Sequence, residues 1–266
     1  MTWHQHERET LADLLRAVGP DAPTLCEGWR SRHLAVHLAQ RESAPWESLR
    51  RVPGPVGRYA QGTFENAADA CRDPEQYART IDRFAAAPAA WTPWGFAGDS
   101  VNLLEFFVHG EDVRRAGALD ASGAVRERPA AGTTDTTDSA DTAESAETAE
   151  TAETAESAVT AEPAERPGEL PPPRDLSPDE RDTVWQALRR AAPLMLVRVP
   201  AGLVYVRDDG PRALVHRPRE GHGTVVLRGD LGDLVLHAFG RGARTRLVVE
   251  GDPADVAAVD VRVPLP

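Results

Sequence analysis

Apolar positions recur at helical spacing through the first part of the chain and switch to strand-like runs near its end. Leu11, Leu14, Leu15 and Val18 fall on one face of a helix expected over 5–18. A second helix, over 31–49, opens after Trp29 and carries Leu34, Leu38 and Trp46. Asp73-Pro74-Glu75-Gln76 reads as a helix start, with Asp73 as cap, Pro74 in the first position and Gln76 reaching back. That helix is expected to run to about residue 87. Ser100 reads as the cap of a last helix over 101–115, ended by Gly117. Residues 58–71 are expected to be helical as well. Four substantial helices joined by Pro/Gly-rich loops predict an up-and-down bundle.

The C-terminal part reads differently. Ser177-Pro178-Asp179-Glu180 is a capping box opening a helix to about residue 192. The runs 194–199, 203–207, 213–216 and 224–228 read as strands, with a turn at Asp208-Asp209-Gly210. A helix over 231–239, a strand over 245–250 and a short helix from Pro253 follow. Between the two parts, from Thr133 to Leu170, Thr-Ala-Glu or Ser-Ala-Glu recurs about every three residues. That repeat does not match the helical period, and its like charges repel, so an extended disordered linker is expected, stiffened at its exit by Pro171-Pro172-Pro173. The fold class expected is therefore α+β: a four-helix bundle over 1–118, a low-complexity acidic linker over 119–173 and a small α+β domain over 174–266.

Charge looks decisive until it is placed. The formal net charge is −12, but 133–170 alone holds 11 acidic residues against one Arg, which leaves −2 for the rest. From Arg174 onward 14 Arg face 13 acidic residues, so no basic excess for phosphates is present and nucleic acid is not an expected partner. No stretch is long and apolar enough to span a membrane, and no apolar signal region opens the chain, so a cytoplasmic protein is expected. Two cysteines, Cys26 and Cys71, exclude a disulfide scaffold and a zinc ribbon. All 30 basic residues are Arg, which fits a high-GC genome.

The chemistry gathers on two helices. From 101 to 108 the last bundle helix is apolar except for Asn102 and Glu105. Glu105 lies one turn before His109, on a stripe shared with Val101, Leu104 and Val108. A carboxylate on an inward stripe is costly unless it is paired or binds a metal. On the second helix His37 sits between Leu34 and Leu38, also facing inward. If the two helices are neighbours, His37, Glu105 and His109 converge as a three-ligand set with open positions, as in a catalytic metal site. Zinc is the first choice; iron, nickel and manganese suit the set as well. The plain alternative is a helix-surface Glu–His pair and a core histidine bonded to backbone. His33, one turn before His37, reads as a surface residue or a fourth ligand. Asp112 reads as an orienting partner for His109, or as a surface partner for Arg115. Arg114 and Arg115 are candidates for a substrate carboxylate, or simply end the helix. Cys26 reads as an inert buried thiol, and His4 and His6 as exposed.

Thr24-Leu25-Cys26-Glu27-Gly28-Trp29, with His33-Leu-Ala-Val-His37-Leu and Arg41-Glu42, resembles the first metal-ligand helix of the DinB-like, mycothiol-dependent maleylpyruvate isomerase superfamily. Asn102-Leu-Leu-Glu105-Phe-Phe-Val-His109-Gly-Glu-Asp112-Val-Arg114-Arg115 resembles its second, and within the superfamily the pair is similar to a metal-binding subfamily from actinobacteria. The runs 225–230, 239–241 and 249–253 resemble the second domain of the same isomerases. The resemblance implies a four-helix bundle holding a divalent metal through His37, Glu105 and His109, and mycothiol as cosubstrate. The function expected is a thiol-dependent isomerase or S-transferase acting on a small electrophile. The alternative is a non-catalytic module whose metal is a structural clip or sensor, with a closed fourth ligand, such as His33, as its mark.

Overall fold

The computed structural model describes residues 2–43, 50, 52–86, 99–118 and 170–259. The acidic repeat, Trp46 and residues 44–49 lie outside the described residues. The fold is α+β, with helices ahead of a small sheet.

Five helices form the N-terminal part: α1 (Trp3–Val18), α2 (Ser31–Ser43), α3 (Pro55–Ala70), α4 (Pro74–Ala85) and α5 (Asp99–Val113). Helix α1 packs on α5 and α4, and α2 packs on α4 and α3. Their common core is built from Leu11, Leu15, Leu34, Leu38, Phe64, Ile81, Phe84 and Phe106, all fully buried. Several local signals act as expected. Asp73 accepts from the Gln76 amide at 2.8 Å, and Pro74 occupies the first turn, where its missing N–H costs nothing. Asp73→Ala should cost about 1 kcal/mol, the usual worth of such a cap, and shift the urea midpoint with an unchanged slope. Other boundaries move. Helix α5 starts at Asp99, so Ser100 lies inside it and does not cap it, and Val101 is exposed instead of facing inward. The helix loosens into a π turn over Arg114–Ala118, where Gly117 takes a positive φ of 90°.

The C-terminal part holds α6 (Pro178–Met195), β1 (Gly202–Arg207), β2 (Arg212–His216), β3 (Thr224–Gly229), α7 (Leu231–Ala238), β4 (Val248–Glu250) and α8 (Pro253–Val259). The strand order is β2-β1-β3-β4; β1 and β3 run parallel, and the other pairs antiparallel. The strand expected over 194–199 does not form. Helix α6 continues through Pro193 to Met195 and a turn follows, because the apolar run that suggested a strand completes the helix. Leu194 and Val197 are exposed, as the outer side of such a helix end would be.

Helix α5 joins the two parts. Its Phe106 and Val113 enter the bundle core. Its Leu103, Leu104, Phe107 and Val108 enter a second core with Trp185, Leu188, Tyr205, Leu227 and Leu234. A helix apolar on every side is one that is covered on every side. The described residues of 1–126 and 170–266 accordingly make one unit. Leu170–Pro173, expected in the linker, are anchored: Arg246 donates to the carbonyls of Leu170 and Pro171, and Arg114 to that of Pro172. Among the described residues no helix is long and apolar enough to cross a membrane.

Candidate metal centre

Helix α2 enters from a loop that is tied down at both ends. The Ser31 hydroxyl donates to the Gly19 carbonyl, and the Leu25 amide donates to the Asp112 carbonyl on α5 at 3.0 Å. One turn beyond His37, Arg41 donates to Asn102 Oδ1 at 3.1 Å and lies 3.6 Å from Glu105 Oε1. These contacts set the register of α2 against α5. Helical spacing then does the rest: His37 on α2 faces Glu105 and His109 on α5.

The three groups meet at one point. Glu105 Oε1 lies 3.3 Å from His37 Nε2 and 3.3 Å from His109 Nε2. The two imidazole rings are 5.4 Å apart and nearly perpendicular, at 77°. All three donor atoms fall within 4.8 Å of one another. Both histidines are buried and Glu105 is half-buried. The Trp29 ring packs on His37 at 5.3 Å and on Phe64 at 5.3 Å, which walls one side of the His37 imidazole.

Behind His109 stands a second tier. Its Nδ1 is 2.9 Å from Asp112 Oδ2, and Asp112 is completely buried. Arg241 from the end of α7 donates through Nε to Asp112 Oδ1 and through Nη2 to Oδ2 at 2.9 Å. Cys26 donates to Asp112 Oδ2 at 3.3 Å and receives Arg241 Nη2 at 3.3 Å. Burial would raise the Glu105 carboxyl, but hydrogen bonds from His109 and His37 and the charge of Arg41 outweigh it and hold the group well below the usual carboxylate range. Burial would lower the His109 imidazole, but Asp112, Cys26 and Glu105 together push it well above its ordinary value. Asp112 likewise stays below its usual range against burial, through His109 and Arg241.

The residues fit a divalent metal. Two imidazole nitrogens and one carboxylate oxygen are a first-row metal donor set. The second nitrogen of His109 is engaged by a buried carboxylate, the arrangement that fixes a ligating imidazole's orientation and leaves its Nε2 facing the ion.

The other expected residues are placed as follows. His33 is buried, not on the surface. Its Nδ1 accepts from the Arg30 amide at 3.0 Å, its Nε2 faces Glu65 at 3.6 Å, and it is not among the three converging donors. Burial, and then the neighbouring Arg32 charge, lower its imidazole, so a neutral ring sits there. Asp112 pairs with His109, not with Arg115. Arg115 is taken up by Glu111 at 2.6 Å and by Asp233 on α7. Arg114 is taken up by Glu111 at 2.5 Å and by the Pro172 carbonyl at 2.8 Å. Both arginines therefore join elements of the fold. Cys26 is half-buried and bonded into the second tier, not set apart from it. His4 is half-buried beside Asp99 and His6 is exposed. Sequence reasoning missed Arg41 and Arg241. Arg41 carried a signal, being one turn past His37 on the same inward stripe. Arg241 carried none that is local, since 129 residues separate it from Asp112.

Residues 4–114 match the family model described as the mycothiol maleylpyruvate isomerase N-terminal domain. Two solved structures are similar over 94% of this chain and 95% of theirs, each at 16% identity and a TM-score of 0.45. They are the crystal structures of the mycothiol-dependent maleylpyruvate isomerase and of a histidine-to-alanine mutant of it. Among curated proteins no match is found.

Proposed function

Starting from an N-terminal bundle whose residues 4–114 match the mycothiol maleylpyruvate isomerase N-terminal domain, we propose that this protein is a member of that family and holds one divalent metal, zinc by preference, through His37, Glu105 and His109. With it the protein acts on a small electrophile together with a low-molecular-weight thiol, mycothiol by family. The observation that carries this reading is the meeting of Glu105 Oε1 with two imidazole Nε2 atoms at 3.3 Å each, backed by Asp112 under His109.

A divalent ion in this set supplies Lewis acidity that favours the thiolate of a bound thiol at neutral pH. The protein's own residues define what can follow. Glu105 spends its charge on the two imidazoles and on Arg41, so it is a ligand and not a free base. His109 keeps its Nδ1 proton on Asp112, so its ring neither turns nor shuttles that proton. His37 packs on the Trp29 ring at 5.3 Å, tilted by 54°. The set binds and orients, and no side chain within it is left over as a general acid. That suits addition of a thiolate to an electron-poor double bond. Rotation about the former double bond and expulsion of the thiolate then give an isomer, whereas protonation of the carbanion by water, with the thiol retained, gives an S-conjugate.

The position of His33 argues against a closed structural site. Its two ring nitrogens face the Arg30 amide and Glu65, and it is not among the converging donors. The test is turnover of a panel of unsaturated and halogenated electrophiles by the zinc-loaded full chain with mycothiol. Product formation that needs both metal and thiol, is lost to a chelator and returns with zinc supports the reading. Thiol-independent turnover, or none across the panel with an unperturbed cobalt spectrum on thiol addition, contradicts it.

A further inference from the structure

The metal-ligand candidates all lie in the bundle, yet the group that fixes one of them comes from the other end of the chain. Phe239 caps the end of helix α7, and Gly240 follows in the left-handed conformation at φ 74°. The Gly240 amide donates to the His237 carbonyl at 2.9 Å and the Arg241 amide to that of Leu236 at 2.8 Å. This is the helix-stop pattern that a left-handed glycine permits, and it fixes where the residue after the glycine stands. Each nitrogen of the Arg241 side chain is then engaged. Nε and Nη2 grip the two oxygens of Asp112, Nη2 also reaches Cys26 Sγ, and Nη1 donates to the Phe239 carbonyl at 2.7 Å. A planar guanidinium gripping both oxygens of a carboxylate fixes its rotation as well as its place. Asp112 then has one orientation in which to receive His109 Nδ1.

The geometry points to Arg241 as a positioning residue for the metal centre: through Asp112 it holds the His109 ring, so that the C-terminal part of the chain sets the metal affinity of a site built in the bundle. This rests on the metal reading given above. A partner of this kind, one bond removed from a ligand, typically changes metal affinity by about ten- to a hundredfold when removed. Its other neighbours do not replace it. Cys26 offers Asp112 a single weak donor, and the Leu25 amide bonds the Asp112 backbone, not its carboxylate.

The test is cobalt affinity of the full-length protein, measured by competition with a chelator. Arg241→Met should bind cobalt about ten- to a hundredfold more weakly than wild type. Arg241→Lys, which keeps the charge but cannot grip both oxygens, should show a smaller loss, and it covers the case in which the Met variant does not fold. Asp112→Asn should also weaken binding, and adding Arg241→Met to it should change little further, because the two act as one unit. Arg174→Met breaks a different tie, the paired bonds from Arg174 to Glu7 at 2.6 and 2.9 Å, and should leave cobalt affinity at the wild-type value. The inference is overturned if Arg241→Met binds cobalt as wild type does. It is also overturned if its effect persists in full beside Asp112→Asn, or if Arg174→Met weakens binding equally. Wild-type protein that takes up no cobalt overturns the metal reading itself, a different result from any of these.

Discussion

Replacing both His37 and His109 by alanine is expected to bring the metal content of purified full-length protein down to background. Two of three donors are then gone, and Glu105 alone faces the ion with Arg41 3.6 Å away. A single carboxylate beside an arginine does not compete with water for a divalent cation. The variant should still fold. With the His109 ring removed, Asp112 keeps Arg241 and Cys26 as partners, so no buried carboxylate is stranded. His33→Ala is the companion variant. Its imidazole bonds the Arg30 amide and lies by Glu65, so metal content should stay at the wild-type level. Element analysis of the three proteins after identical metal loading and desalting checks this. Equal metal in wild type and the double variant would show that the ion, if any, binds elsewhere.

The largest loss of stability is expected from Arg115→Met. Arg115, Glu111 and Asp233 are all buried, and the guanidinium bonds Glu111 on its own helix and Asp233 on α7. Gly232 makes the approach possible: a Cβ there would meet Arg115 Nη2 at 3.0 Å and Asp230 Oδ1 at 3.0 Å. Removing one partner of a buried pair strands the other without water, which costs about 3–5 kcal/mol. Glu111 keeps Arg114, but Asp233 loses the partner it has across the two parts of the fold. Urea unfolding of Arg115→Met should show that loss. Arg115→Met combined with Asp233→Leu should be milder than the single change, because no charge is then left buried on α7. Arg16→Ala removes bonds to Asp13 and Asp82, both well exposed, and should cost under about 1 kcal/mol.

The same cluster sets an acid limit. Burial raises the Glu111 carboxyl, but the charges of Arg114, Arg115 and Arg174 outweigh it and hold it below its ordinary value. A carboxyl depressed in the folded state stabilises above its unfolded value, about 4.3. That contribution is lost as pH falls through the lower folded value. Unfolding free energy should therefore drop as the pH is taken below about 4, and drop less steeply in Glu111→Gln.

The parts of this architecture that were legible in sequence are those set by local rules. The caps at Asp73 and Ser177 and the i, i+4 pair of Glu105 and His109 depend only on residues within a turn or two, whereas His37 lies 68 residues from Glu105 and meets it only because α2 and α5 come together. The unusual apolarity of 101–108 marked a covered helix, but only the structure divides its faces between two cores. What stayed hidden depends on partners far along the chain. Glu111, one turn before Arg114 and Arg115, is a local partner of both, but their other partners, Pro172 and Asp233, come from the other end of the chain. Arg241 stood in the sequence only within the run 239–241, with no role attached to it. His33 looked like a surface residue because helix periodicity cannot foresee Phe64 of α3 lying 6.2 Å from its ring. The run 194–199 misled because a short apolar stretch reads alike as a strand or as a helix end.

The most direct measurement is the zinc-edge X-ray absorption spectrum of the zinc-loaded full chain, recorded before and after addition of mycothiol. Before the thiol, the account predicts a shell of nitrogen and oxygen scatterers only, at about 2.0–2.2 Å. After it, one sulfur should enter at about 2.3 Å. Sulfur already in the first spectrum would place the metal on Cys26, beside Asp112 and the far side of His109. That result, or a shell the thiol leaves untouched, would contradict the account.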